Sequence, residues 1–253
     1  MLEVCHISKS FVSGTIRRKK IDAVKDVSFR LEDGKTLGIM GNSGCGKTTL
    51  PRIIMNLIQP DSGEIRINQK IISSAQKKIS KSDRKMVQMV FQHPGGILDP
   101  SKKILYSLLE PMKIQNLYTP KERREKINQL LTLTGIPQRL LERYPHEVSG
   151  GEAQRLVICR SLVLEPKILV LDEPTSMLDV SVQAHIMTLL KDLQREMGLT
   201  YLFISHDLDV LSWISDEIAV MKDGEFLEIG KKEDILQRPK KEYTKMLLEA
   251  FST

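Results

Sequence analysis

The sequence predicts an α/β fold with a parallel-sheet core, an N-terminal antiparallel β subdomain and an inserted α-helical subdomain. Three observations predict it. Short, almost wholly apolar segments such as Ile168 to Leu171 and Thr200 to Ile204 alternate with helical spacing, as buried parallel strands do. A glycine-rich loop from Gly41 to Thr48 joins an apolar strand to a helix. From about Ile104 to Leu164 the spacing is helical, with Pro111, Pro120, Pro137 and Pro145 as expected breaks.

The elements follow in order. Leu2 to Ile7 alternates apolar and polar residues, as a half-buried strand does, and Val27, Phe29 and Leu31 repeat the pattern before the Asp33-Gly34 turn. Arg17-Arg18-Lys19-Lys20 reads as a loop between these two strands. Thr36 to Met40 is a short apolar strand. A helix is expected from about Lys47 to Leu57, stopped by Pro60 and Asp61-Ser62-Gly63. Ile65, Ile67 and Val87 to Phe91 mark further strands. After the helical stretch come the strand Ile168 to Leu171 and an amphipathic helix with Val182, Ile186, Leu189, Leu190, Leu193 and Met197 on one face. Next are the strand Thr200 to Ile204, two short strands around Lys222-Asp223-Gly224, and charged helices. The expected division is one domain, with a core from about 1–92 and 165–253 and a helical subdomain at about 93–164.

Composition narrows the function classes. The chain has 253 residues, 41% hydrophobic and 28% charged, ordinary values for a globular domain with a proper core. The N-terminus lacks a signal-peptide pattern, and the apolar runs are too short to span a bilayer. A soluble protein linked to any membrane through a partner is expected. Cys5, Cys45 and Cys159 are scattered without CxxC spacing and read as free thiols of a reducing compartment. The net charge of +6 comes from dispersed residues with few aromatics between them, so no nucleic-acid partner is expected.

Gly41-Asn42-Ser43-Gly44-Cys45-Gly46-Lys47-Thr48 fits GxxxxGK[ST] in the strand-to-helix setting of a P-loop. Glycines let backbone amides curl around a phosphate, and the helix start adds a favourable dipole. Lys47 is expected on the β- and γ-phosphates and the Thr48 hydroxyl on Mg²⁺, with Thr49 in the same cradle. Alkylation of Cys45 is expected to block the site, with ATP protecting. The strand Ile168 to Leu171 ends in Asp172-Glu173, where ligands bind in open α/β sheets. Asp172 is expected to bind Mg²⁺, and Glu173 to act as general base on the attacking water. A small-molecule kinase or a GTPase would carry the same two features.

Ser149-Gly150-Gly151-Glu152, followed by Ala153-Gln154-Arg155, separates these readings. Here the chain resembles the ABC ATPase family over nearly its whole length. Ser149 and two glycines at a helix start make a second anion-binding end. The resemblance implies ATP and Mg²⁺ as ligands and assigns further roles. Phe11 matches the aromatic that stacks on adenine, and Gln92 the glutamine that contacts Mg²⁺ and the attacking water. Asp179, after Leu178, matches the loop that crosses the dimer interface, and His206 the histidine on the γ-phosphate. It also implies a head-to-tail pair in which the Ser149 to Glu152 stretch faces the nucleotide of the other subunit.

Within that family the chain resembles the ATPases of the peptide and nickel importer group. The residues that carry this are Gln88 to Pro94, Leu98-Asp99-Pro100, Tyr144 to Ser149, Leu178 to Gln183 and Glu242 to Leu247. The resemblance implies a different chain as second ATPase subunit, two transmembrane permease subunits, an extracytoplasmic solute-binding protein acting indirectly, and a peripheral place on the cytoplasmic face of the membrane. The end of the chain at Thr253, without a cysteine-containing tail, leans the expected cargo towards nickel or a metal chelate. His93, Asp99 and Pro51 depart from the group's pattern, and Pro51→Ala is expected to keep or raise stability. The rival readings are a nucleic-acid-associated ABC ATPase, an exporter ATPase and a regulatory subunit without hydrolysis. The single cassette without a coiled coil, the importer-like stretches, and the intact Glu173 and His206 weigh against them respectively.

Overall fold

The computed structural model describes residues 1–13, 19–92 and 96–251. In chain order the elements are β1 (Leu2–Ser13), β2 (Lys19–Leu31), β3 (Thr36–Met40), α1 (Thr49–Ile54), β4 (Ser62–Ile67), β5 (Lys70–Ser74), β6 (Val87–Val90), α2 (Ile104–Ile114), α3 (Pro120–Leu133), α4 (Gly150–Leu162), β7 (Ile168–Asp172), α5 (Val180–Met197), β8 (Thr200–Ile204), α6 (Leu208–Ile214), β9 (Glu217–Lys222), β10 (Glu225–Lys231), α7 (Lys232–Gln237) and α8 (Glu242–Phe251). They form two compact units: Met1–Arg84 with the chain from Thr200 onward, and Lys85–Leu199.

The first unit holds the antiparallel sheet expected at the N-terminus, in the order β2-β1-β4-β5. Leu2 faces Leu31 on one side and Ile67 on the other, and all three are buried. This is the period-two burial that the alternating sequence encodes. Lys19 and Lys20 belong to β2 rather than to a loop, while Arg17 and Arg18 lie outside the described residues. Strand β5 was not signalled. Its hairpin with β4 turns on Asn68 and Gln69, both with positive φ (49° and 65°), the geometry of a tight hairpin turn. Gln in place of the usual Gly hid it. In the same unit β3 lies between β8 and β9, parallel to both, and every residue of β3 and β8 is buried.

The helix after the glycine-rich loop is shorter than expected: Thr49–Ile54, not Lys47 to Leu57. Its first turn closes with the amides of Thr49 and Leu50 on the Gly46 carbonyl at 2.9 and 3.2 Å. Pro51 has no N–H to return to Lys47, so the regular ladder is interrupted there. At the other end Asn56 takes a left-handed φ of 52°, and the Leu57 amide turns back to the Arg52 carbonyl at 2.8 Å.

The second unit pairs β6 and β7 in parallel and carries α2 to α5. Pro120 sits in the first turn of α3 beneath a reciprocal capping box of Thr119 and Glu122, a true helix start. Pro111 does not break the chain as expected. It lies inside α2, and the carbonyl four residues back, that of Ser107, is bonded from α4 instead. No helix among the described residues is long and apolar enough to cross a membrane.

Candidate functional site

In the first unit the loop Gly41 to Thr48 leaves the end of β3. Gly41 and Gly46 hold φ of 153° and 109°, and a Cβ at either would lie 2.2 Å from a backbone carbonyl, of Met221 and Ala23 respectively. Only glycine permits this loop path. Lys47 is buried, and its Nζ donates to the carbonyls of Gly41 at 2.5 Å and Asn42 at 2.8 Å. Thr48 is exposed, and its side chain makes no capping bond to α1, so the hydroxyl is open to a ligand. Cys45 is buried, with its Sγ 3.8 Å from Lys47 Nζ.

His206 comes to this loop by strand register. Ile39 of β3 pairs with Ile204 of β8, and the Ser205 amide donates to the Ile39 carbonyl at 3.3 Å. The chains thus leave the sheet side by side, with Gly41 on one and His206 on the other. Asp207 turns the second chain into α6 by accepting from the Val210 amide at 3.1 Å. Phe11 stands at the far end of β1, 39% exposed, beside the exposed Val12 and facing Ile21 of β2. That apolar tip suits a flat ring.

The second unit repeats this logic. Val90 of β6 pairs with Leu171 of β7, so Gln92 and Glu173 emerge side by side, and Gln92 Nε2 donates to Glu173 Oε2 at 2.9 Å. Asp172 is 7% exposed at the end of β7. Glu173 holds a left-handed φ of 48°, an uncommon conformation for a side-chain-bearing residue. The Ser176 hydroxyl donates to its carbonyl at 3.2 Å. Nothing in the sequence signalled that backbone. His93 lies outside the described residues.

The Ser149 to Glu152 stretch opens α4 as a capping box. The Ser149 amide donates to Glu152 Oε2 at 2.9 Å, and Ser149 Oγ accepts from the Glu152 amide at 3.3 Å. The Ser149 amide, followed by its hydroxyl, holds the Glu152 carboxyl below its ordinary range. Asp179 caps α5 by accepting from the Val182 amide at 2.9 Å. A Cβ at Gly151 would lie 2.6 Å from Val182 Cγ1, and one at Gly150 3.7 Å from Leu178 Cδ2. Gly151 is therefore also a packing residue that lets the starts of α4 and α5 meet, a role sequence reasoning missed.

Residues 24–176 match the ABC transporter family. The chain is 44% identical to the oligopeptide transport ATP-binding protein AppF of Bacillus subtilis, over 99% of this chain and 78% of that protein. It is 43% identical to the dipeptide transport ATP-binding protein DppF of Escherichia coli, over 91% of this chain and 69% of that one. Among solved structures it is similar to the dimeric ATP-binding cassette MJ0796 in a post-hydrolysis state bound to ADP and Pi. The TM-score there is 0.80 at 30% identity, over 92% of this chain and 99% of that chain.

Proposed function

The chain belongs to the ABC transporter family and is an ATP-binding cassette ATPase, and from that premise we propose that it powers the import of di- or oligopeptides. Peptides stand ahead of nickel because relatives at 41% to 44% identity are named for oligopeptide and dipeptide transport. The observation that carries the hydrolytic reading is the Gln92–Glu173 hydrogen bond, which holds a carboxylate at the end of a buried strand beside an amide side chain.

In this reading the amides of Gly41 to Thr49 cradle the β- and γ-phosphates, and Lys47 turns from its carbonyl partners to meet them. Phe11 stacks on the adenine. Thr48, Asp172 and Gln92 would hold Mg²⁺. The exposed, uncommitted Thr48 hydroxyl fits an oxygen-preferring ion that takes most of its ligands from phosphate and water. Bound there, Mg²⁺ neutralises charge on the phosphates. Glu173 accepts a proton from the attacking water, Gln92 orients that water, and His206 donates to the γ-phosphate. Ser149, Gly150, Gly151 and Glu152 face the nucleotide of a second ATPase subunit, a different chain, and Asp179 crosses that interface. Two permease subunits bind the pair at the cytoplasmic face of the membrane, and a solute-binding protein delivers cargo from outside. The helical run Ile104–Leu162 supports a subdomain at about 93–164 within a core of 1–92 and 165–253.

The test is peptide and nickel uptake in cells lacking the gene, complemented with wild type or Glu173→Gln, alongside ATP hydrolysis by the assembled transporter. Wild type alone should restore peptide uptake, and Glu173→Gln should bind ATP without hydrolysing it. Uptake that follows nickel instead would overturn the cargo. Hydrolysis by Glu173→Gln at the wild-type rate would overturn the base.

A further inference from the structure

Strand β1 loses its neighbour on one side before it reaches Phe11. Ser8 opposite Ser62 is the last pair between β1 and β4 among the described residues, because β4 begins at Ser62. Asp61 takes over from there. Its amide donates to the Ser8 carbonyl at 2.8 Å, and its Oδ2 accepts from the Ser10 amide at 2.8 Å. A carboxylate thus supplies the acceptor that a longer strand would have offered to the Ser10 amide.

On the other side, β1 shifts register against β2 between Lys9 and Ser10. Such a shift bends a strand and re-aims the side chains that follow. Ser10 is held from both sides at that point, since its hydroxyl also donates to Asp22 Oδ1 of β2 at 2.7 Å. Phe11 comes next in the chain.

The other oxygen of Asp61 reaches the ring through Lys9. Asp61 Oδ1 accepts from Lys9 Nζ at 2.6 Å, and that ammonium lies over the Phe11 ring, 5.7 Å from its centroid. The Lys9 side chain is only 18% exposed, so it lies against the protein rather than free in solvent. A cation over an aromatic ring attracts it and favours one orientation. The Phe11 ring stays partly exposed, with surface left for a planar ligand. One carboxylate therefore holds both the backbone before Phe11 and the cation on its ring.

We infer that Asp61 is a positioning residue for the base of the nucleotide, which fixes Phe11 through Ser10 and Lys9 and leaves the phosphate site untouched. The inference rests on the reading of Phe11 as the adenine platform.

The test compares two probes on the full chain by calorimetry: MgATP, and magnesium tripolyphosphate, which has the phosphates without the base. Phe11→Ala should weaken MgATP binding about five- to thirtyfold and leave tripolyphosphate unchanged. Asp61→Ala should weaken MgATP about three- to tenfold, and Lys9→Met about two- to fivefold, again with tripolyphosphate unchanged. Asp61→Ala should add little on the Phe11→Ala background. Should Asp61→Ala fold poorly, Asp61→Asn, which keeps an acceptor for Ser10 and loses the charge, carries the test together with Lys9→Met. Asp26→Ala, which removes the 2.7 Å contact with His6 in the same sheet, is the control for general damage and should leave both affinities unchanged. If Phe11→Ala weakens MgATP while the Asp61 and Lys9 variants match wild type, the positioning role falls and the platform stands. Equal losses for tripolyphosphate, or an equal loss of MgATP affinity in Asp26→Ala, also overturn it. If Phe11→Ala binds MgATP as wild type does, the reading of Phe11 fails and the inference with it.

Discussion

The Nε of Arg160 on α4 lies 3.1 Å from the carbonyl oxygen of Ser107 on α2. That carbonyl is the one Pro111 leaves without a donor inside its own helix. Arg160 Nη2 also donates to Glu110 Oε2 at 2.8 Å, so the guanidinium bridges two neighbouring groups on the proline's turn. Helix α2 continues through Pro111 because another helix supplies the missing hydrogen bond.

Arg160→Ala should therefore cost about 1–3 kcal/mol, since it strands a partly buried carbonyl and removes a charge-assisted bond. In a Pro111→Ala background the cost should shrink, because an alanine amide can take the Ser107 carbonyl. Urea titration of the four proteins in a double-mutant cycle reads the coupling.

The left-handed backbone at Glu173 gives a second expectation. Glu173→Gly should hold stability or raise it by up to about 1 kcal/mol, while the β-branched Glu173→Val should lower it by about 1–2 kcal/mol. Both lose the Gln92 bond, so their difference in melting temperature isolates the backbone. Neither should hydrolyse ATP.

The cysteines should separate by rate. Burial pushes the Cys159 thiol up to about 12, so it should stay unmodified until the protein unfolds. Cys45 is buried against Lys47, and its alkylation should need the loop to open. Its labelling should be slow, blocked by ATP, and matched by loss of ATPase activity. Mass spectrometry after timed alkylation checks this, and Cys45→Ser should keep its activity under the reagent.

Glu152 sets a pH dependence. Its carboxyl is held below the ordinary value of 4.5 by the Ser149 amide, so the folded pKa is depressed. The stabilisation is present in full above the unfolded value and is lost as pH falls through the folded pKa. Wild type should exceed Glu152→Gln in melting temperature at pH 6, and the gap should narrow as the pH falls below the ordinary carboxylate value and through the depressed folded one.

Pro51→Ala should keep or raise stability. An amide at 51 can reach the Lys47 carbonyl that proline leaves, and α1 should gain a regular first turn. A fall of more than about 1 kcal/mol would show that the buried ring contributes more than the missing hydrogen bond.

Much of this was legible where local pattern decides structure. Thr36 to Met40 and Thr200 to Ile204 are strands at the expected bounds because wholly apolar runs next to turn residues leave few alternatives. Ser149 and Asp179 cap helices, as their residue types favour. What escaped depends on contacts distant in sequence. The continuity of α2 needs an arginine about fifty residues away. The bond between Gln92 and Glu173 follows from the register of β6 on β7, which neither strand states alone.

The close approach at Gly151 has an electrostatic consequence. Helices α4 and α5 begin at Gly150 and Val180, and the glycine brings those beginnings into van der Waals reach. Two macrodipoles thus turn their positive poles towards one patch, and each carries a carboxylate cap, Glu152 on one and Asp179 on the other. The poles repel each other, and the two caps screen that repulsion together.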